Sequence, residues 1–165
     1  MRSITVGCIF ALLLLACGTP YQPRGIRGGF ADTQLDKNTV RIVFKGNAYV
    51  HKDTVQDYVL YRSAEVTIDK GFDYFVIVDN ESEIVNGAIT TGGTFNATTN
   101  IQATGPNSAT AQTTGTYRPG QNIPYRKYGS TLMIKMFSGQ KPETLPNSYD
   151  ARELKGYLEP HIKRE

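Results

Sequence analysis

The chain has 165 residues, of which 39% are hydrophobic and 20% are charged, and its formal net charge is +3. This length predicts about one domain, and the composition is that of a folded globular protein rather than a membrane bundle or a disordered chain. So small a net charge gives no indication of nucleic-acid binding, and no nucleic-acid partner is expected. Composition therefore assigns a broad class and identifies no activity.

The first sixteen residues have the pattern of a cleavable signal peptide. A short positive segment, residues 1–3, precedes an apolar run from Ile4 to Ala16. A membrane-spanning helix needs about 20 apolar residues, and a shorter run such as this one is typical of a signal peptide. We therefore predict a signal peptide over residues 1–16.

The end of this run, Leu14-Leu15-Ala16-Cys17, resembles the lipobox of bacterial lipoproteins. The resemblance implies cleavage by signal peptidase II before Cys17, which then carries the lipid, acyl chains such as palmitate included. An ordinary secretory leader with a chance cysteine is the alternative. Gly18 rather than aspartate follows, and by resemblance to Gram-negative sorting rules this favours the outer membrane. We expect a protein held at the periplasmic face of that membrane through Cys17.

Residues 17–30 are predicted to be the lipidated cysteine and a flexible tether. The segment from Gly18 to Phe30 is rich in Gly and Pro, which is typical of a linker rather than of a folded element. Fully extended, it would span about 45 Å at roughly 3.3–3.6 Å per residue. On this interpretation the folded part of the chain is residues 31–165, a single α+β domain.

The first half of this domain predicts a βαβ unit. Residues 39–45 alternate between two faces and indicate a strand, and Asp53 or Thr54 can cap a helix that Gly71 ends. Residues 72–78 are almost entirely apolar, which predicts a central strand covered on both faces. A strand, a helix and a strand in this order predict parallel, right-handed pairing.

The apolar residues of the helix over 54–70 form two stripes on nearly opposite sides. The stripes are Val55, Val59 and Val66 on one side, and Leu60, Tyr61, Ala64 and Ile68 on the other. One stripe is expected to pack on the sheet. The second is either covered by the C-terminal segment or docks a partner, and both alternatives stay open.

Residues 84–117 contain no charged side chain and are rich in Thr, Asn, Gly and Ala. Gly105-Pro106-Asn107-Ser108 is a turn signal near the middle. We interpret residues of about 86–118 as a low-complexity insertion that forms either a long, weak β-hairpin or a disordered loop. An uncharged strand pair can also add to the edge of another sheet.

The C-terminal part predicts one more strand and a short helix. Residues 131–137 alternate, and a helix capped by Asn147 or Ser148 is expected to end at Pro160. We expect the strands over 39–45, 72–78 and 131–137 to be neighbours, with the 54–70 helix on one face.

Four segments carry a resemblance: Gly29–Leu35, Arg41–Tyr49, Val55–Phe75 and Asn147–Leu154. They resemble an uncharacterised family of small proteobacterial outer-membrane lipoproteins. The likeness covers most of the mature chain except the Thr-rich stretch. It implies a lipoprotein with one compact α+β domain, and it implies no activity.

The sequence shows no constellation for catalysis. His51 and His161 lack ligand-spaced neighbours, and the acidic run 79–83 lacks the glycine and spacing of a calcium loop, so it is interpreted as a polar turn. No nucleophile elbow or P-loop is present. Residues 125–128, Tyr-Arg-Lys-Tyr, could contact lipid headgroups or a polysaccharide, or simply lead into a strand. We expect no enzyme activity, no cofactor and no metal.

Two classes of function remain. The first is a non-enzymatic envelope lipoprotein that binds a protein partner as an accessory or assembly subunit. The alternative is a binder of a small envelope ligand such as lipid or glycan. A closed apolar cavity would favour the ligand binder, whereas an exposed apolar stripe or an unpaired edge strand would favour the partner binder.

Overall fold

The computed structural model describes residues 18–164, so the predicted signal peptide and the predicted lipidated Cys17 lie outside the described residues. Contacts divide the chain into two compact units. The first, which we call the core unit, consists of the described residues up to Val85 and those from Arg126 onward. The second, which we call the hairpin unit, is Asn86–Tyr125. The core unit combines a sheet with helices, in agreement with the predicted α+β class.

The elements follow one another along the chain with short connections. The strands are β1 (Gly29–Gln34), β2 (Thr39–Lys45), β3 (Tyr74–Thr90), β4 (Thr94–Gly105), β5 (Ser108–Arg118), β6 (Asn122–Phe137) and β7 (Ser148–Asp150). The helices are α1 (Lys52–Asp69) and α2 (Ala151–Leu158), and a 3-10 turn (Glu159–His161) follows α2.

The main sheet has the strand order β1-β2-β6-β3-β7. The three strands predicted as neighbours are therefore adjacent, but β6 lies between β2 and β3. The predicted direct parallel pairing of a βαβ unit is wrong, because β6 pairs antiparallel with β2, with Ile42 opposite Leu132. The connection through α1 places β2 and β3 one strand apart in the sheet. Strand β6, which follows the insertion in the sequence, lies between them.

One face of this sheet forms the core with α1. The alternate residues of β2 and β6 are almost completely buried, and they are Val40, Ile42, Phe44, Leu132, Ile134 and Met136. The Phe44 ring packs edge-on against Tyr58 of α1, with ring centroids 5.0 Å apart. This period-two burial is what the alternation of the two strands predicts.

The strand over 72–78 was expected to be covered on both faces, and this expectation is wrong. Only Phe75 is fully buried, whereas Tyr74 is half-buried and Val78 is exposed. The helices lie over one face of the sheet, so the apolar side chains of the other face cover one another instead. Tyr74, for example, stacks on Phe137 of β6 at 5.3 Å.

Helix α1 begins at Lys52, after His51, so neither Asp53 nor Thr54 is the cap. It ends where the sequence predicts. Gly71 has φ +79°, its N–H donates to the carbonyl of Ile68, and the next N–H, of Phe72, donates to the carbonyl of Thr67. This pair of bonds is the Schellman arrangement, which glycine permits because a positive φ costs it little.

The second stripe of α1 is covered by the C-terminal part of the chain rather than left exposed. Tyr61 and Ala64 are buried, and α2 packs along this side of α1. Helix α2 itself starts later than predicted. Asn147 has φ 53° and β7 follows it, so the cap is Asp150, whose carboxylate accepts hydrogen bonds from the N–H groups of Arg152 and Glu153.

Residues 18–30, the described part of the segment predicted as a flexible tether, belong to the folded core unit. Thr19 and Tyr21 are 3% and 7% exposed. The N–H of Tyr21 donates to the carbonyl of Lys163 at 2.7 Å, and its ring lies 4.8 Å from that of Phe30. The Gly and Pro content of the segment predicts a linker, but the buried aromatic ring of Tyr21 holds residues 18–30 in place.

The hairpin unit shows the hairpin alternative for the uncharged region. Strands β4 and β5 pair antiparallel in a two-stranded sheet, with Pro106 and Asn107 in the turn between them. The acidic run 79–83, interpreted above as a turn, is instead part of β3, which continues to Thr90. Every residue of β4 and β5 is exposed.

Candidate functional site

The first candidate surface surrounds the point at which the chain enters the core unit. The hydroxyl of Thr19 donates to the carbonyl of Arg27 at 2.6 Å and accepts from the N–H of Asn47 at 2.8 Å. A side chain at Gly18 would lie against Val50 at 3.5 Å. The entering chain is thus fixed between residues 24–28 and the loop over residues 46–51.

Residues 25–28 form a tight two-residue hairpin turn. Gly25 and Gly28 exchange backbone hydrogen bonds of 2.9 and 3.1 Å, which leaves Ile26 and Arg27 at the tip. Gly28 has φ +100°, and a Cβ there would lie 2.1 Å from the carbonyl oxygen of Lys45. The side chain of Ile26 is fully exposed. We call residues 24–27 the tip loop.

A cluster of three tyrosines links the N-terminal segment, α1 and the C-terminal residues. The Tyr21 ring meets those of Tyr58 and Tyr61 edge-on, at 5.6 and 5.1 Å. Its hydroxyl donates to the carboxylate of Glu65. Burial, with that hydrogen bond and the charge of Glu65, raises the pKa of Tyr21 well above the ordinary value of 10.0.

The other two tyrosines of the cluster are also held in the protonated form. Burial, followed by a hydrogen bond to Glu159, raises the pKa of Tyr61, and burial raises that of Tyr58. In turn, the hydrogen bonds from Tyr61 and Arg164 lower the pKa of Glu159. The Arg164 guanidinium also donates to the Tyr61 hydroxyl at 2.6 Å. In this structural network the hydroxyls of Tyr21 and Tyr61 are donors, and the carboxylates of Glu65 and Glu159 are acceptors.

An open cleft of about 400 Å³ lies beside α1 and the start of the sheet. Its lining includes Arg62, which donates to Asp32 at 2.5 Å and to Glu65 at 3.0 Å. The guanidinium also stacks on the ring of Phe30 at 4.4 Å. Through these contacts Arg62 joins β1 to α1. The cleft is therefore lined by ion pairs and differs from an apolar ligand-binding cavity.

The second candidate surface is the ribbon, which we define as residues 94–118. Cross-strand partners point to the same side of a two-stranded sheet, so the register assigns each residue to a face. One face carries Phe95, Ala97, Thr99, Ile101, Ala103, Ala109, Ala111, Thr113, Gly115 and Tyr117. The other carries Thr94, Asn96, Thr98, Asn100, Gln102, Thr110, Gln112, Thr114, Thr116 and Arg118. The ribbon is therefore amphipathic.

The large side chains of the apolar face are fixed on glycines of the hairpin unit, yet they stay exposed. A Cβ at Gly115 would lie 2.4 Å from the Phe95 ring, and one at Gly93 would lie 2.5 Å from the Tyr117 hydroxyl. Phe95, Ile101 and Tyr117 are 66%, 72% and 65% exposed. In the sequence this face corresponds to a period-two alternation of apolar and polar residues. The alternation is weak because many of its apolar positions are alanine or threonine.

The remaining sequence candidates do not assemble into a site. His51 is exposed, and His161 Nδ1 lies 3.9 Å from an Asp57 carboxylate oxygen. Residues 125–128 belong to β6 and are not a loop. Among residues 18–164, no three His, Cys, Asp or Glu side chains are grouped to hold a metal ion. Within the same range, no helix has the length and apolar character needed to cross a membrane.

Comparisons with protein-family models, curated proteins and solved structures find no match to this chain. The resemblance to small outer-membrane lipoproteins therefore stays a prediction from the sequence segments that carry it.

Proposed function

We propose that this chain is a non-enzymatic lipoprotein, anchored through Cys17 at the periplasmic face of the outer membrane, that binds a protein partner through the apolar face of the ribbon. In this role it is an accessory or assembly subunit. The observation that carries the proposal is the amphipathic, exposed β4–β5 sheet.

Two physical arguments support a partner for the ribbon. An isolated two-stranded hairpin is only marginally stable in water, whereas additional strands or packing of an apolar face stabilise it. In addition, the outer edges of β4 and β5 present backbone groups, and from Thr94 to Tyr117 no charge opposes the addition of another strand. A partner that covers Phe95, Ile101 and Tyr117 would bury the apolar face, and a partner strand added to β4 or β5 would pair the backbone groups of an outer edge.

The alternative, a binder of a small envelope ligand, has weaker support. A ligand binder of this kind is expected to contain a closed apolar cavity. The cleft beside α1 and a neighbouring cleft of about 510 Å³ are both open, and charged side chains line each of them: Asp32, Arg62 and Lys70 in the first, and Asp36, Lys37 and Lys70 in the second.

The test compares two substitutions on opposite faces of the ribbon. Ile101→Lys places a charge on the apolar face, and Gln102→Lys places the same charge one residue away on the polar face. Proteins that co-purify with the lipoprotein from detergent-solubilised envelopes are quantified by mass spectrometry. We expect a partner retained by the parent and by Gln102→Lys and reduced at least about tenfold by Ile101→Lys, because burying an unpaired ammonium is costly.

An identical set of co-purifying proteins for the parent and both variants would contradict the proposal. Circular dichroism of the two variants checks that each keeps the parent fold.

A further inference from the structure

The described part of the core unit begins at Gly18, the residue that follows the proposed lipid anchor. Consecutive Cα atoms are about 3.8 Å apart, so the two peptide units between the proposed lipidated residue and Thr19 can span at most about 8 Å. Thr19 is buried and hydrogen-bonded to the backbone of Arg27 and Asn47. Because so short a connection leaves no tether, acyl chains on Cys17 would hold the surface around Thr19 against the lipid headgroups.

That surface has the composition of a membrane-contacting surface. Ile26 projects fully exposed from the tip loop, with Arg24 and Arg27 on either side. Tyr49, at the adjacent loop, is 69% exposed, and its carbonyl lies beside Gly18. An apolar side chain next to arginines and a tyrosine is typical of residues that sit in the interface of a bilayer.

The two chain segments that contribute to this surface are basic in sequence. Residues 18–31 and 43–52 contain four Arg and Lys side chains and no Asp or Glu. The cations are Arg24, Arg27, Lys45 and Lys52, of which Lys45 is already paired with the carboxylate of Glu83 in β3 at 3.0 Å. Basic side chains close to a bilayer are attracted by anionic headgroups, and the attraction falls off within a Debye length.

We propose that the tip loop and Tyr49 bind anionic phospholipid headgroups, with Ile26 inserted among them. The proposal rests on the proposed anchor at Cys17 and extends it, because the loop gives the core unit a defined orientation on the membrane. The lipid chains supply the attachment, and the tip loop prevents rotation about the single covalent link.

The chain contains no tryptophan, so one introduced indole reports on a single position. Ile26→Trp places it in the tip loop. Leu35→Trp is the control, because Leu35 is exposed just beyond the far end of β1, about 20 Å away for six strand residues. The mature lipoproteins are placed in nanodiscs of phosphatidylethanolamine and phosphatidylglycerol, with and without brominated acyl chains, after mass spectrometry has confirmed acylation.

We expect a blue-shifted emission and strong quenching by the brominated lipids for Ile26→Trp, and neither for Leu35→Trp. Adding Arg24→Gln should lower the ratio of docked to undocked protein about fivefold, and Lys37→Gln, beside Leu35, should leave it unchanged. Circular dichroism checks the fold of each variant.

An acylated Ile26→Trp protein that is quenched no more than Leu35→Trp would overturn the docking and leave the anchor standing. If the quenching of Ile26→Trp changes neither on adding Arg24→Gln nor on replacing the lipids by phosphatidylcholine, the role of anionic headgroups is overturned. A mature chain without acyl groups would overturn the anchor and the docking together.

Discussion

The phenol hydroxyl of Tyr21 donates a hydrogen bond to the carboxylate of Glu65, 44 residues further along the chain. The Tyr21 ring lies against Tyr58 and Tyr61 of the same helix, and its backbone N–H donates to Lys163 near the other end of the chain. One side chain thus joins the N-terminal segment, α1 and the C-terminal residues.

Removing this side chain should destabilise the core unit. Tyr21→Ala leaves a cavity among aromatic rings, and we expect the free energy of unfolding to fall by about 3 kcal/mol or more. Urea unfolding in mild detergent measures the loss. Tyr49→Ala is the control, because Tyr49 is mostly exposed and should change stability little. Equal stability of the two variants would show that residues 18–30 are not part of the fold.

The tyrosine cluster should also make the protein sensitive to alkali. The folded pKa of Tyr21 is raised above its unfolded value of about 10, so the unfolded state releases the phenol proton first. The contribution of Tyr21 to stability is therefore complete below pH 10 and is lost as the pH rises above it. Unfolding measured between neutral pH and pH 11 should show a smaller alkaline loss for Tyr21→Phe than for the parent; identical slopes would contradict this.

The hairpin turn over residues 25–28 should depend on glycine at one of its two ends only. Gly28→Ala combines a φ of +100° with a Cβ 2.1 Å from the Lys45 carbonyl oxygen, and we expect it to cost about 2 kcal/mol or more. Gly25→Ala meets nothing within 4 Å and should stay within about 0.5 kcal/mol of the parent. Thermal unfolding of both variants, side by side, measures the difference. A stable Gly28→Ala protein would contradict the geometry of the loop.

The core unit should fold without the ribbon. Joining Gly92 to Gly120 removes residues 93–119 and leaves a two-glycine turn, a connection that antiparallel strands favour. Thr91 N–H already donates to the carbonyl of Gln121 at 2.9 Å, so the flanking pair is in place. We expect a melting temperature within about 5 °C of the parent; a fall of more than about 15 °C, equivalent to several kcal/mol, would show that the ribbon stabilises the core unit.

Lipid attachment should depend on one of the two cysteines. Cys17→Ala is expected to abolish incorporation of a palmitate analogue and to block processing by signal peptidase II. Cys8→Ala, inside the predicted signal peptide, should leave both unchanged. Continued labelling of the Cys17→Ala protein would place the anchor elsewhere. The uncleaved leader can itself hold the precursor at the inner membrane, so labelling is a better measurement than fractionation.

Much of the main sheet is predictable because its core residues obey a local rule. Val40, Ile42 and Phe44 alternate with more exposed residues, and Leu132, Ile134 and Met136 do the same. Gly71 marks the end of α1 because its positive φ is a local requirement. Such features depend on neighbours in the sequence, and so the sequence shows them directly.

What the sequence does not show depends on distant partners. The position of β6 between β2 and β3 follows from pairing across the whole insertion. The burial of Tyr21 requires Tyr58, Tyr61 and Lys163, all remote along the chain, and the Gly and Pro around it indicate a linker. The tip loop is not predictable from the sequence for the same reason, because only the folded N-terminal segment holds residues 24–27 beside Thr19.

The bond between Tyr21 and Lys163 would also set an order of events during the proposed export of the chain. A chain that crosses the inner membrane from its N-terminus delivers Tyr21 early, but the carbonyl it needs arrives only with the last residues. Closure of the core unit must therefore wait for the C-terminal segment, as is general for contacts of high sequence separation. Until then Tyr21 lacks this partner and α1 lacks its C-terminal cover, so on the proposed export route a nascent chain stalled before Lys163 would expose both to the periplasm.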